Sequence, residues 1–181
     1  MPNWSSNALI LTPLNDQGIK DIADYIQEVK NTSNGERNGL FATRFPYPEG
    51  IWEQNDGWAG FNWCVEHWGT KWDVRDSDIT LVDESDTHFH MTFDTAWSPP
   101  TEYVCRLSEQ LPNVKFELAF SEQGMAFAGT QVIQNGAVLS ETKVAVTWDK
   151  DWDDCEGEDD EPQPSGEWAA HMEKYQIGCG G

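Results

Sequence analysis

Apolar and polar residues alternate along this chain with two periods, and the switches between them mark out its elements. Ala8-Leu9-Ile10-Leu11 is a short apolar run of strand type, and Ile19, Ile22, Ile26 and Val29 then recur at the spacing of one helical stripe. Asn15 or Asp16 stands where that helix needs an N-cap, and Asn31-Thr32-Ser33-Asn34-Gly35 ends it. A long aromatic loop runs from Phe41 to Trp58, broken by Pro46, Pro48 and Gly50, and the segment Phe61 to Trp68 is predicted as a short helix. Phe89, Met91 and Phe93 alternate with His88, His90 and Thr92, which predicts a strand with one buried face and its histidines toward solvent. Ser98-Pro99-Pro100-Thr101-Glu102 opens a second long helix, with Ser98 as cap and Val104, Leu107 and Leu111 as the buried stripe. Val114, Phe116, Leu118 and Phe120 mark another strand, and the turn Glu122-Gln123-Gly124 leads into a strand over Ala126–Ile133. Asn135-Gly136 then signals a two-residue hairpin before Ala137–Thr142, and Val144, Val146 and Trp148 close the domain. Strand, helix, strand, helix and a meander predict an α+β sandwich, a largely antiparallel sheet with helices on one face.

Charge changes the picture at the C-terminal end. The chain of 181 residues carries 32 acids against 11 bases, a formal net charge of −21, so direct binding to nucleic acid or anionic lipid is disfavoured. Nine of those acids crowd into Asp149–Glu161, beside the single base Lys150, and like charges this dense cannot share a core. Residues 1–148 are therefore expected to be the folded domain, 149–166 a solvated acidic linker, and 167–181 a C-terminal segment. That segment is predicted as a short helix with Trp168, Met172 and Tyr175 near one face. No apolar run approaches the roughly 20 residues that span a bilayer, the start lacks the order of a signal peptide, and the expected compartment is the cytoplasm. Cys64, Cys105, Cys155 and Cys179 are too scattered for a disulfide framework.

Three stretches carry a family resemblance: Met1-Pro2-Asn3-Trp4 with Asn7, Trp68-Gly69-Thr70-Lys71-Trp72-Asp73, and Phe93-Asp94-Thr95-Ala96-Trp97-Ser98-Pro99-Pro100. With Glu122-x-Gly124-x-x-Phe127-x-Gly129 they resemble the YubB-like family of phage, prophage and plasmid proteins over residues 1–148. The resemblance implies a ferredoxin-like domain and a mobile-element context in a bacterial host, and brings no reaction with it. Ser5 stands where that family often has cysteine, so a thiol role at that position does not carry over.

Candidate chemistry is sparse. Ten tryptophans are the strongest anomaly, and Trp4, Trp52, Trp58, Trp63, Trp68, Trp72 and Trp97 all fall in the first hundred residues. The ordinary fate of such a cluster is a core under long loops; the alternative is a ligand groove of Trp72 and Trp97 with Lys71 as the cation. Lys71 paired with Asp73 or Asp94, pinning the loop, is the structural version of the same motif. Cys64-x-x-His67 and His88-x-His90 supply too few ligands for zinc, and Asp149, Asp151 and Asp153 begin a calcium loop that fails at Asp154 and Asp160. No catalytic residues, metal or cofactor are expected. The expectation is a non-catalytic acidic binding protein of a phage or mobile element, a stoichiometric, DNA-mimic-like inhibitor of a host nucleic-acid-handling or defence enzyme. Its partner would be a host protein with a basic nucleic-acid-binding surface. Asp149, Asp151, Asp153, Asp154, Glu156, Glu158, Asp159, Asp160 and Glu161 would form the binding strip, and the competing class is a nucleotide- or small-anion-binding module or enzyme using Lys71, Trp72 and Trp97.

Overall fold

A computed structural model describes residues 3–32, 39–74, 79–85, 88–155 and 161–180. Ser33-Asn34-Gly35 of the expected helix stop, and Glu156, Glu158, Asp159 and Asp160 of the acidic strip, lie outside the described residues. The elements follow in the order β1 (Trp4–Pro13), α1 (Asp16–Thr32), α2 (Leu40–Arg44), α3 (Trp58–Trp68), β2 (Ile79–Ser85), β3 (His88–Ala96), α4 (Thr101–Gln110), β4 (Val114–Glu122), β5 (Phe127–Gln134), β6 (Ala137–Val144) and α5 (Gly166–Tyr175).

The strands form one sheet in the order β2-β3-β1-β4-β5-β6, and every neighbouring pair is antiparallel. The first four strands make the ferredoxin-like β-α-β-β-α-β arrangement, to which the β5–β6 hairpin adds two. Asn135 and Gly136 take the positive φ values of 49° and 80° that a tight hairpin between twisted strands requires. Register explains the core. Leu9 lies opposite both Met91 and Leu118, and Leu11 opposite both Phe89 and Phe116, so one pleat of three central strands is continuously apolar. Ile22, Ile26 and Val29 of α1 and Val104 and Leu107 of α4 bury their stripes against that face. Asn15 caps α1 as expected, accepting from the Gly18 amide at 3.0 Å. Gly18 packs so closely on the Asn113 carbonyl that a Cβ would lie 2.2 Å from its oxygen. Ser98, in contrast, does not cap α4: its Oγ donates to the Gly69 carbonyl at 2.6 Å, tying two loops together instead.

Helices cover both faces of the sheet, which corrects the one-sided expectation. On the second face Ala8 stands directly opposite Ala119, and these two small side chains leave a shallow seat. Tyr175 of α5 and Ile177 after it fill that seat, with Ile10 and Met172 packed alongside. The buried stripe of α5 is Trp168, His171 and Tyr175, whereas Met172 is only partly covered. The Trp168 indole is fully enclosed and its Nε1 donates to Ser121 Oγ at 2.8 Å. His90, expected in solvent, is buried for the same reason, with its Nε2 3.1 Å from the Tyr175 carbonyl, and His171 Nε2 lies 3.2 Å from the Phe120 carbonyl. Helix α5 and Ile177 after it thus pack on the body of the domain. Among the described residues no helix is long and apolar enough to cross a membrane.

Candidate functional site

Two surfaces bring sequence-flagged residues together. The first lies where α3 faces the loops before β2 and after β3. Helix α3 turns Gly60, Cys64 and Trp68 inward, and burial pushes the Cys64 thiol up to about 12, so it stays protonated and unreactive. Its residues Trp58, Phe61, Asn62 and Val65 form a second stripe that lines a cleft of about 220 Å³, closed on the other side by Lys71, Ala96, Trp97 and Ser98. Lys71 Nζ stands 4.4 Å from the Trp97 ring centroid, 4.9 Å from that of Phe61 and 5.6 Å from that of Trp72. Lys71 and Trp97 therefore meet as the groove reading requires. Trp72 flanks the lysine without lining the cleft, its ring edge-on to Trp4 at 5.9 Å.

Among the described residues no carboxylate forms an ion pair with Lys71. Asp73 is engaged elsewhere, accepting from the backbone amides of Phe41 at 2.7 Å, Ala42 at 2.8 Å and Val74 at 2.8 Å. Burial raises its carboxyl to about 6 against the pull of those three donors. The loop is thus pinned by Asp73 and the backbone of α2, not by a Lys71–Asp73 pair. The tryptophan cluster also departs from the core expectation. Of its seven members only Trp68 is fully enclosed, and Trp58 and Trp97 are 58% and 51% exposed. Trp58 is the outer end of an edge-to-face aromatic array that reaches inward through Phe61 and Trp52.

The second surface is the acidic segment. Its base is closed by Asp149 N to the Gln163 carbonyl and Ser165 N to the Thr147 carbonyl, both 2.9 Å, with a bridge between Trp148 and Pro164. Asp149 Oδ1 accepts from Gln163 N at 2.7 Å, so this carboxylate helps close the loop as well as face solvent. Asp149, Asp151, Asp153, Asp154 and Glu161 are all exposed. Among them Trp152 is 62% exposed, its ring 6.1 Å from Trp148, which in turn stands edge-on to the buried Trp168 at 4.8 Å. A polar cleft of about 320 Å³ opens beside the loop, with Trp148, Trp152 and Glu161 in its wall. Sequence reasoning missed the lining residues Trp58, Asn62 and Val65, although their i, i+4 and i+7 spacing is a legible second stripe. Among the described residues no group of three or more His, Cys, Asp or Glu is arranged to hold a metal ion.

Comparison with known proteins bears on the fold. A family model described as the ferredoxin-like domain in Api92-like protein matches residues 67–163, more than half of the chain. The chain belongs to this Api92-like family. The match begins later than the span of the YubB-like resemblance and runs on through the acidic segment. The crystal structure of a protein Api92 from Yersinia pseudotuberculosis superposes with a TM-score of 0.52 at 9% identity, covering 81% of this chain and 99% of that one. At that identity the Api92 likeness is one of fold alone. Neither of these matches carries a YubB-like name or a phage source. No functionally curated protein matches the chain.

Proposed function

We propose that this protein belongs to a phage or related mobile element and acts by binding and not by catalysis, as an acidic inhibitor that occupies a basic, nucleic-acid-gripping surface on a host protein in the host cytoplasm. One observation carries the reading. The acidic segment is hydrogen-bonded shut at its base, so its described carboxylates stand exposed around a solvent-facing indole on a body that is itself strongly negative. That arrangement supplies an apolar anchor ringed by charge, the layout in which one aromatic residue holds affinity and the surrounding charges set encounter rate. The cleft walled by Trp148, Trp152 and Glu161 offers a lysine or arginine side chain two indole rings and a carboxylate. The mobile-element context rests on the YubB-like sequence resemblance.

The test is affinity capture from bacterial lysate at low and high salt, followed by kinetics on the captured partner with Asp151, Asp153 and Asp154 changed to asparagine. The triple variant is expected to associate more slowly and with a flatter salt dependence, while Trp152→Ala speeds dissociation. Association that is unchanged in rate and salt slope would refute a role for the loop. The second reading, a nucleotide- or small-anion-binding groove at Lys71, Trp72 and Trp97, is supported by an ammonium set over aromatic rings and, among the described residues, in no ion pair.

A further inference from the structure

We propose that the cleft between α3 and the loop joining β3 to α4 binds a small planar aromatic carboxylate, its ring against Trp97 and Trp58 and its carboxylate on Lys71. This deepens the second reading above and is independent of the acidic loop.

Four observations converge on it. Folding uses one stripe of α3, Gly60, Cys64 and Trp68, yet the helix carries a second stripe of Trp58, Phe61, Asn62 and Val65 that faces the cleft, with Trp58 and Val65 more than half exposed. An exposed pair of large apolar side chains costs solubility and contributes nothing to the core. Trp97 sits at φ +72°, a left-handed conformation that a bulky L-residue seldom takes, and is held there by its N–H on the Asn3 carbonyl at 2.9 Å. Backbone strain of this kind concentrates where a side chain must be aimed at a ligand, and here it aims a half-exposed indole into the cleft. Lys71 is the third observation: in a chain of net charge −21 its ammonium meets rings where carboxylates are abundant, which leaves its charge to an incoming anion. The fourth is rigidity. Thr70 Oγ1 donates to the Ala96 carbonyl at 2.8 Å, Ser98 Oγ to the Gly69 carbonyl at 2.6 Å, and Thr95 Oγ1 to the Ser98 carbonyl at 2.7 Å, so the walls are laced together before any ligand arrives.

Size and charge choose the ligand class. A cleft of about 220 Å³ is smaller than the ~300–1,000 Å³ that drug-sized ligands occupy, so it holds one or two fused rings and not a whole nucleotide. A single ammonium with no guanidinium fork in the lining neutralises a monoanion. A phosphate dianion would keep uncompensated charge in the field of an acidic protein. The exposed amide of Asn62 at the rim supplies a donor for the second carboxylate oxygen.

Calorimetric titration of the full chain with 2-naphthoate, neutral 2-naphthamide and adenosine monophosphate at low ionic strength tests this. Saturable one-to-one binding of the naphthoate is expected, at least about tenfold tighter than the amide. Lys71→Met, which keeps the apolar stem, should bring the two affinities together. Val65→Trp, which fills the cleft from an exposed helix position, should abolish both, with circular dichroism melts reporting the fold of each variant. Equal affinities of naphthoate and naphthamide for the unaltered chain overturn the proposal even if Lys71→Met fails to fold, and so does naphthoate binding that survives Val65→Trp. Binding of the nucleotide alone, lost in Val65→Trp, overturns the carboxylate assignment and leaves the small-anion groove standing. No binding of any of the three overturns both.

Discussion

Replacing Trp168 by alanine measures how strongly the C-terminal helix holds to the sheet. The indole is fully enclosed, donates to Ser121 Oγ at 2.8 Å and stands edge-on to Trp148 at 4.8 Å. A buried aromatic ring of this size covers roughly 150–250 Å², which at ~25 cal/mol/Å² is about 4–6 kcal/mol; measured Trp→Ala losses in cores run at about 3–5 kcal/mol. The lower range applies here, because Ser121 Oγ keeps a second partner in the Cys179 carbonyl at 3.3 Å and is not stranded. For a chain of this length each kcal/mol moves the melting temperature by about 2–4 °C, so a fall of about 6–20 °C is expected. Docking of α5 sets the ceiling. If Tyr175, Ile177 and Met172 cannot hold the helix once the indole is gone, α5 detaches and the loss equals that of deleting residues 166–181. Melts of Trp168→Ala, the deletion, and a Trp148→Ala/Trp168→Ala cycle separate these cases, with a coupling of about 0.5–1.5 kcal/mol expected for the ring pair. A deletion that shifts the melting temperature by less than about 2 °C would refute the reasoning, since it would mean that the second face of the sheet needs no cover.

Two further expectations concern protons. Burial lowers the affinity of His90 and His171 for a proton below that of an ordinary imidazole, so below about pH 6.5 the unfolded chain binds protons that the folded chain does not. Stability from these groups is present above that pH and lost as pH falls, and a His90→Gln/His171→Gln variant should show a flatter stability profile between pH 7 and 5. Asp73 has the opposite sign: with its carboxyl raised to about 6 from 3.8, the folded chain holds a proton that the unfolded chain has released, and its contribution falls as pH rises through that window. A carboxyl-carbon NMR titration with a midpoint near 4 would contradict this. Asp73→Ala should cost about 1–3 kcal/mol in denaturant unfolding by leaving the Phe41, Ala42 and Val74 amides without their acceptor.

Reading the chain alone gives the α+β class, the stripes of α1 and α4, the alternation of β3 and β4 and the Asn135-Gly136 turn. Each is a matter of periodicity within one element or of the backbone freedom of one turn. It also singles out Lys71 and Trp97, because a cation beside indoles is unusual wherever it occurs. What periodicity cannot say is which element covers a given face. His90 alternates with apolar neighbours and reads as solvent-facing, but whether it is wet depends on α5, some eighty residues away in sequence. Ala8 and Ala119 read as unremarkable small residues until cross-strand register sets them side by side as a seat. Ser98 has the right neighbours for a helix cap, yet its hydroxyl finds the Gly69 carbonyl because two loops distant in sequence come together. The left-handed turn at Trp97 and the second stripe of α3 acquire meaning only as opposite walls of one cleft. Local sequence sets which side of an element is apolar; contacts between distant segments decide whether that side becomes core, seat or open binding surface.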